Sequence, residues 1–163
     1  MTNPADGSGL TFAQLMDDLK SGIGMVRINA ATALGKLTDR RSIPALIEAL
    51  EDTNPGVRSN AAFALGTMKS TEAVDGLIRA LQDDQERVRK SAAKALGMIR
   101  SRKAVDALII KLSDSAYIVR KSAARSLGQI GDTRARPALE RASSDKDPGV
   151  ASMARESLEK LGK

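Results

Sequence analysis

Apolar positions recur along this chain at an interval longer than any single helix or strand. The run "VRKSAAKALGMI" from Val88 to Ile99 returns 31 residues later as "VRKSAARSLGQI" from Val119 to Ile130, with nine of twelve letters unchanged. Val26, Val57, Val88, Val119 and Val150 keep that interval, as do Leu34, Leu65, Leu96, Leu127 and Leu158. Gly35, Gly66, Gly97 and Gly128 follow the leucines, and Leu15, Leu46, Leu77, Leu108 and Leu139 repeat upstream. A fixed period of this length marks stacked supersecondary units. Five units occupy residues 10–163 as a single array, and residues 1–9 read as a disordered N-terminal tail.

Each unit holds two apolar stretches. In "IPALIEAL", Ile43, Leu46, Ile47 and Leu50 fall at i, i+3, i+4 and i+7, which is one face of an α-helix. Ser42 is placed to cap it, with Pro44 in the first turn. In the second stretch Val57, Ala61, Leu65 and Met68 share a stripe, and Asn54-Pro55 or Asp147-Pro148 mark where such a helix starts. No alternating run of β-branched residues supports a strand. Neither helix can bury its stripe alone, so the units must stack. The paired alanines (Ala61-Ala62, Ala92-Ala93, Ala123-Ala124) are small where neighbouring helices approach.

Composition sharpens this picture. Aromatics make up 2% of the 163 residues and Trp is absent, so the core must be aliphatic, which suits closely packed helices. The chain has no Cys and no His. That removes disulfides, thiolate sites, His-ligated metals and any nucleophile activated by His. No membrane span or signal peptide is read, and a cytoplasmic location is expected. The net charge of +6 favours acidic partners.

The repeated letters DxxxxVRxxAAxALGxI and AVxxLIxAL resemble the short HEAT-like repeats of phycobilin lyases and of many bacterial and archaeal proteins. The resemblance implies an all-α fold: an α-solenoid, a right-handed superhelix of five two-helix HEAT-like repeats, and a prokaryotic source. The last unit departs from the pattern. Ala151 replaces the arginine, Glu159 the glycine, and Glu140 and Ser143 two apolar positions, so it is expected to cap the array. Hydroxylases of this repeat type ligate iron through His-Glu pairs, which a chain without His cannot form. DNA glycosylases of HEAT-like fold need acid and aromatic groups that the cationic face of this chain lacks. A phycobilin lyase-like accessory role would need an acid for the pyrrole nitrogens, and Glu156 is the one available at the outward positions.

Charged residues repeat as well. Arg27, Arg58, Arg89 and Arg120 follow the valines, while Asp52, Asp83, Asp114 and Asp145 lie in the turns before the second helices. They are read as an Asp–Arg ladder that ties each unit's own turn to its second helix. The turns segregate by sign, acids before the second helices and bases after them, which complements the helix dipole. The basic edge also leaves phosphate binding open.

Positions that differ between units carry the function. At about 100° per residue, the residues two and six after each valine fall opposite the buried stripe, with those at ten beside them. They bring together Lys90, Lys94, Lys121 and Arg125, with Ile28, Phe63, Met98 and Gln129 nearby and Tyr117 and Ile118 at a helix start. Exposed aromatics beside cations suit an interface. The expected function is therefore a non-enzymatic scaffold whose second helices line a concave groove for another protein with an acidic and apolar surface or helix. Nucleic-acid binding is the alternative. No catalytic residue, metal or cofactor is expected, and the chain is expected to be a monomer or a weak homodimer through the Met16, Ile23 and Met25 region.

Overall fold

A computed structural model describes residues 9–161, and among them ten α-helices follow one another with no strand. Of the tail expected at residues 1–9, all but Gly9 lies outside the described residues. The first helices of the units are α1 (Phe12–Asp18), α3 (Ile43–Glu48), α5 (Val74–Ala80), α7 (Val105–Lys111) and α9 (Arg136–Ala142). The second helices are α2 (Gly24–Leu37), α4 (Pro55–Thr67), α6 (Glu86–Ile99), α8 (Tyr117–Ile130) and α10 (Pro148–Leu161).

The starts of the second helices follow from local chemistry. The Asn54 side chain accepts from the Gly56 amide at 2.8 Å, and Pro55 occupies the position whose N–H would have no partner. Asp147 does the same for Gly149 and Val150 ahead of α10. Ser42 does not cap α3. It already has helical dihedrals, so its hydroxyl turns back and donates to the Asp39 carbonyl at 2.8 Å. Asp39 is the cap, accepting from the Arg41 amide ahead of a 3-10 turn that feeds α3.

The first four second helices are each followed by a left-handed residue at one repeat position: Thr38, Lys69, Arg100 and Gly131, with φ of 53°, 50°, 59° and 75°. Gly131 alone of the four has no Cβ to crowd the next carbonyl there.

The repeated leucines and valines form one continuous core, with Leu34, Leu65, Leu96, Leu127, Val57, Val88 and Val119 fully buried. Second helices pack extensively on one another, whereas consecutive first helices barely touch, so the units dock mainly through the second-helix layer. The closest approach involves the repeated glycines. A Cβ on Gly35 would stand 2.7 Å from the Ala64 Cβ, and one on Gly66 would stand 2.6 Å from the Ala95 Cα. Gly97 and Gly128 meet Ser126 and Ser157 in the same way. Each glycine thus seats the small residue two positions earlier in the next unit's repeat.

The carboxylate pairs of the Asp–Arg ladder link neighbouring units, while a further bond from each arginine ties its helix to the turn of its own unit. Arg58 grips Asp83 of the following unit in a bidentate pair at 2.7 and 2.8 Å, and its third nitrogen donates to the Asp52 carbonyl of its own turn at 2.9 Å. Arg27–Asp52, Arg89–Asp114 and Arg120–Asp145 repeat this arrangement. The guanidinium is long enough to cross the seam, and its fork geometry matches a carboxylate. Hydrogen bonds from Arg27 and Arg120 hold the Asp52 and Asp145 carboxyls below the usual range. Burial pushes Asp83 and Asp114 up, but bonds from Arg58 and Arg89 and from backbone amides outweigh it and hold both low.

Candidate functional site

The outward face of the second helices is built from residues four apart. Tyr117, Lys121, Arg125 and Gln129 run down α8, and Lys90, Lys94 and Met98 run down α6. On α4 the same stripe carries Ser59 and Phe63, and on α2 it carries Ile28. Phe63 remains 50% exposed and Tyr117 54%, an unusual state for large rings in a chain with so few. Lys94 reaches across from α6 and places its ammonium 5.8 Å from the centre of the Phe63 ring, a cation–π contact between adjacent units. Lys90, Lys94, Lys121 and Arg125 make no ion pair with any acid among the described residues.

Not every expected residue faces solvent. In the first four units the position two after the valine lies at the seam between second helices, because the next helix leans over it, whereas Ser152 of the last unit is exposed. Ser59 is buried and its hydroxyl lies 2.9 Å from that of Ser91. Ile28 is half-buried against the core, its side chain lying against Gly56. Lys90, Lys121, Met98 and Ile118 are likewise half-buried; the Met98 sulfur lies beside Gly66, and the Lys121 ammonium beside Gly149. Phe63, Tyr117, Arg125 and Gln129 are the exposed members, and Lys94 is half-buried. The face is therefore a shallow strip centred on the sixth and tenth positions after the valine, flanked by half-sunk lysine stems.

The basic edge has a different character. Lys103 lies 2.6 Å from Asp75, Arg41 pairs with Asp39, Arg134 with Asp132 and Asp106, and Arg40 with Glu72. Arg136 donates to the Leu161 carbonyl. Arg40, Arg41, Lys103 and Arg134 are thus already paired with acids, whereas Lys69 and Arg100 make no ion pair among the described residues. Arg41 also stacks 4.4 Å over the Phe12 ring, a contact that sequence spacing could not reveal.

Comparison with known proteins places this geometry. A family model for HEAT repeats matches residues 43–110 and 105–163, and one for the PBS lyase HEAT-like repeat matches residues 26–52. The chain belongs to the HEAT-repeat family. Among solved structures it is similar to a chain in the complex of CpcE and CpcF of phycocyanin lyase from Nostoc sp. PCC7120, with 30% identity and a TM-score of 0.86. That likeness covers 96% of this chain and 66% of the other. YibA of Escherichia coli is 25% identical with a TM-score of 0.74, over 93% of this chain and 54% of that one. The chain thus spans less than two thirds of either relative. A designed armadillo repeat protein in complex with the peptide (KR)4 shares the fold, at 20% identity and a TM-score of 0.73 over 92% of this chain and 81% of that one. No curated protein matches.

These findings correct one expectation. The chain was expected not to be an enzyme, on the ground that it lacks His, Cys and any visible catalytic set. The likeness to a phycocyanin lyase chain and the match to the lyase-type repeat overturn that reading, because they associate this repeat architecture with lyase activity. The absence of familiar catalytic residues excludes only the chemistries that need them. No helix among the described residues is long and apolar enough to cross a membrane.

Proposed function

We propose that this array is a lyase-type HEAT-repeat subunit that holds a protein on the strip formed by its second helices. The observation that carries the reading is the Phe63–Lys94 contact in the middle of a face whose four cations lack acidic partners. A ring held open by a cation from the next unit offers a flat apolar anchor with a charged rim, the composition of an interface hot spot. Tyr117 supplies a second anchor on α8, while Lys90, Lys121 and Arg125 steer an acidic partner and exclude basic ones. Holding the partner by ridge and charge requires a rigid base, which the core and the ladder provide. The lyase-type relative is one chain of a two-chain complex, which supports a protein partner here as well. The partner we infer has acidic and apolar residues on one helix or tail.

The test is a double charge reversal, Lys90→Glu with Lys121→Glu. Binding to a partner isolated with the parent protein is expected to weaken by about tenfold or more, roughly 1.4 kcal/mol, with unchanged helix content by circular dichroism. Unaltered binding would remove the strip from the interface.

A further inference from the structure

Each seam of the array is made by the same repeat positions on its two sides. On the second helices, the side turned toward the preceding unit carries Asn54, Gly56, Asn60 and Ala64. They meet Gly24, Ile28, Thr32 and Gly35 in turn. Ten residues after the valine, Met98 and Gln129 lie against Gly66 and Gly97 of the unit before. On the first helices, Arg79 reaches back to Glu51 at 3.4 Å, and Lys111, only 8% exposed, reaches the Gln82 side-chain oxygen at 3.1 Å.

In the first unit the equivalent positions are Ile23, Met25, Asn29, Ala33 and Lys36 along α2, with Asp17 and Asp18 at the end of α1. No unit precedes them among the described residues. Ile23 is 65% exposed and Met25 62%, and Asn29, Lys36 and Asp17 are exposed on the same side. The opposite end of the array offers this face no mate. Glu159 stands where Gly35, Gly66, Gly97 and Gly128 seat the next helix, and a charged side chain in that seat blocks head-to-tail stacking of copies.

We propose that the outer face of the first unit binds a second copy of the chain, the two α2 helices lying antiparallel about a two-fold axis at Asn29. A symmetric contact requires a surface that complements itself, and the order of residues along α2 meets that requirement. Four residues from the axis, Met25 of one copy meets Ala33 of the other, a long adaptable side chain against the smallest in the row. At the axis the two Asn29 amides donate to and accept from each other. Seven residues out, Lys36 reaches the Gly22 turn of the other copy, the end that carries Asp17 and Asp18. The Met25 and Lys36 contacts each occur twice. The contact area is that of a single unit's face, so the dimer is weak and concentration-dependent. The face lies at one end of the array, apart from the second-helix strip, and is independent of the function proposed above.

The test is sedimentation equilibrium of the full chain, joined to disulfide trapping, for which a chain without Cys provides a clean background. The parent is expected to dimerise with a Kd on the order of 100 μM. Met25→Glu is expected to weaken the dimer about tenfold or more with unchanged helix content. Lys36→Glu by itself, and Asp17→Lys with Asp18→Lys, are each expected to weaken it, and the three changes together to restore it. Under oxidation Asn29→Cys is expected to give a linked dimer, whereas Ser152→Cys, exposed on α10, is expected to stay monomeric. Lys90→Glu with Lys121→Glu is expected to leave the dimer intact, which separates this face from the strip. A chain that stays monomeric up to about 1 mM would overturn the proposal and leave the face to residues 1–8 or to a different protein. So would a dimer indifferent to Met25→Glu, or one that Ser152→Cys links as readily as Asn29→Cys. Failure of the combined charge swap to restore association would overturn the antiparallel arrangement.

Discussion

Gly66→Ala isolates the contact on which the stacking depends. In the middle of a solvent-exposed helix this substitution stabilises by about 0.5–1 kcal/mol, because glycine loses more backbone entropy on folding. Here the added Cβ would stand 2.6 Å from the Ala95 Cα and 2.8 Å from its Cβ, both rigid parts of α6. Restoring an ordinary carbon–carbon separation requires α4 and α6 to move apart by roughly 1 Å. That shift opens gaps beside Leu65 and Leu96, which are fully buried. Overpacking of this kind costs roughly 1–3 kcal/mol, so the net expectation is a loss of about 1–2 kcal/mol. Urea unfolding followed by far-ultraviolet circular dichroism reads this as a midpoint lower by roughly 0.5–1 M, given a slope of about 2 kcal/mol per molar urea. Gly22→Ala, where a Cβ meets nothing within 4 Å, is the matched control and is expected to change little. A Gly66→Ala midpoint equal to or above the parent's would show that the second helices do not meet at this point.

Three further outcomes follow from the ladder and the helix ends. Arg89→Ala leaves the 6% exposed Asp114 carboxylate without its guanidinium and is expected to cost about 3–5 kcal/mol, whereas Arg41→Ala, at the exposed Asp39 pair, is expected to move the midpoint of the same urea assay far less. Asp52, Asp83, Asp114 and Asp145 all have folded pKa values below the unfolded value of about 3.9. Their stabilisation is therefore complete above that pH and is lost as pH falls through the lowered folded values. The thermal midpoint should be flat from neutral pH down to about 5 and drop below it; a fall already visible between pH 7 and 6 would contradict the pairing. Thr38→Gly relieves a left-handed β-branched residue and is expected to raise stability by about 1 kcal/mol, measurable as a higher thermal midpoint.

The layered architecture was legible because packing residues cannot drift. Each repeated leucine and valine meets the same neighbours in the next unit, so one spacing recurs through the whole array. The ladder's direction was not legible, because Asp52 is closer in sequence to Arg58 than to Arg27, and only the stacking offset makes Arg27 its partner. The glycine seam was missed for a similar reason. The sequence shows small residues at several positions, and the crossing point of two helices decides which of them touch. Counting 100° per residue identified Phe63 and Arg125 as exposed but failed for Ser59 and Ile28, since a neighbouring helix covers positions that would be open on an isolated one. Lys111 was passed over entirely, although a lone lysine where three sister units have alanine was the available signal. The link to lyase-type proteins was not legible in candidate catalytic residues, because it rests on the repeat architecture and not on a nucleophile or metal ligand.

The most direct measurement is photo-crosslinking in cells of the natural source, with a reactive group placed in turn at Phe63, at Arg125 and at Ile110 on a first helix. If the second-helix strip holds the partner, Phe63 and Arg125 yield the same crosslinked protein, and Lys90→Glu with Lys121→Glu suppresses it. A product formed from Ile110 and absent at Phe63 and Arg125 would put the partner on the first-helix layer and contradict the assignment.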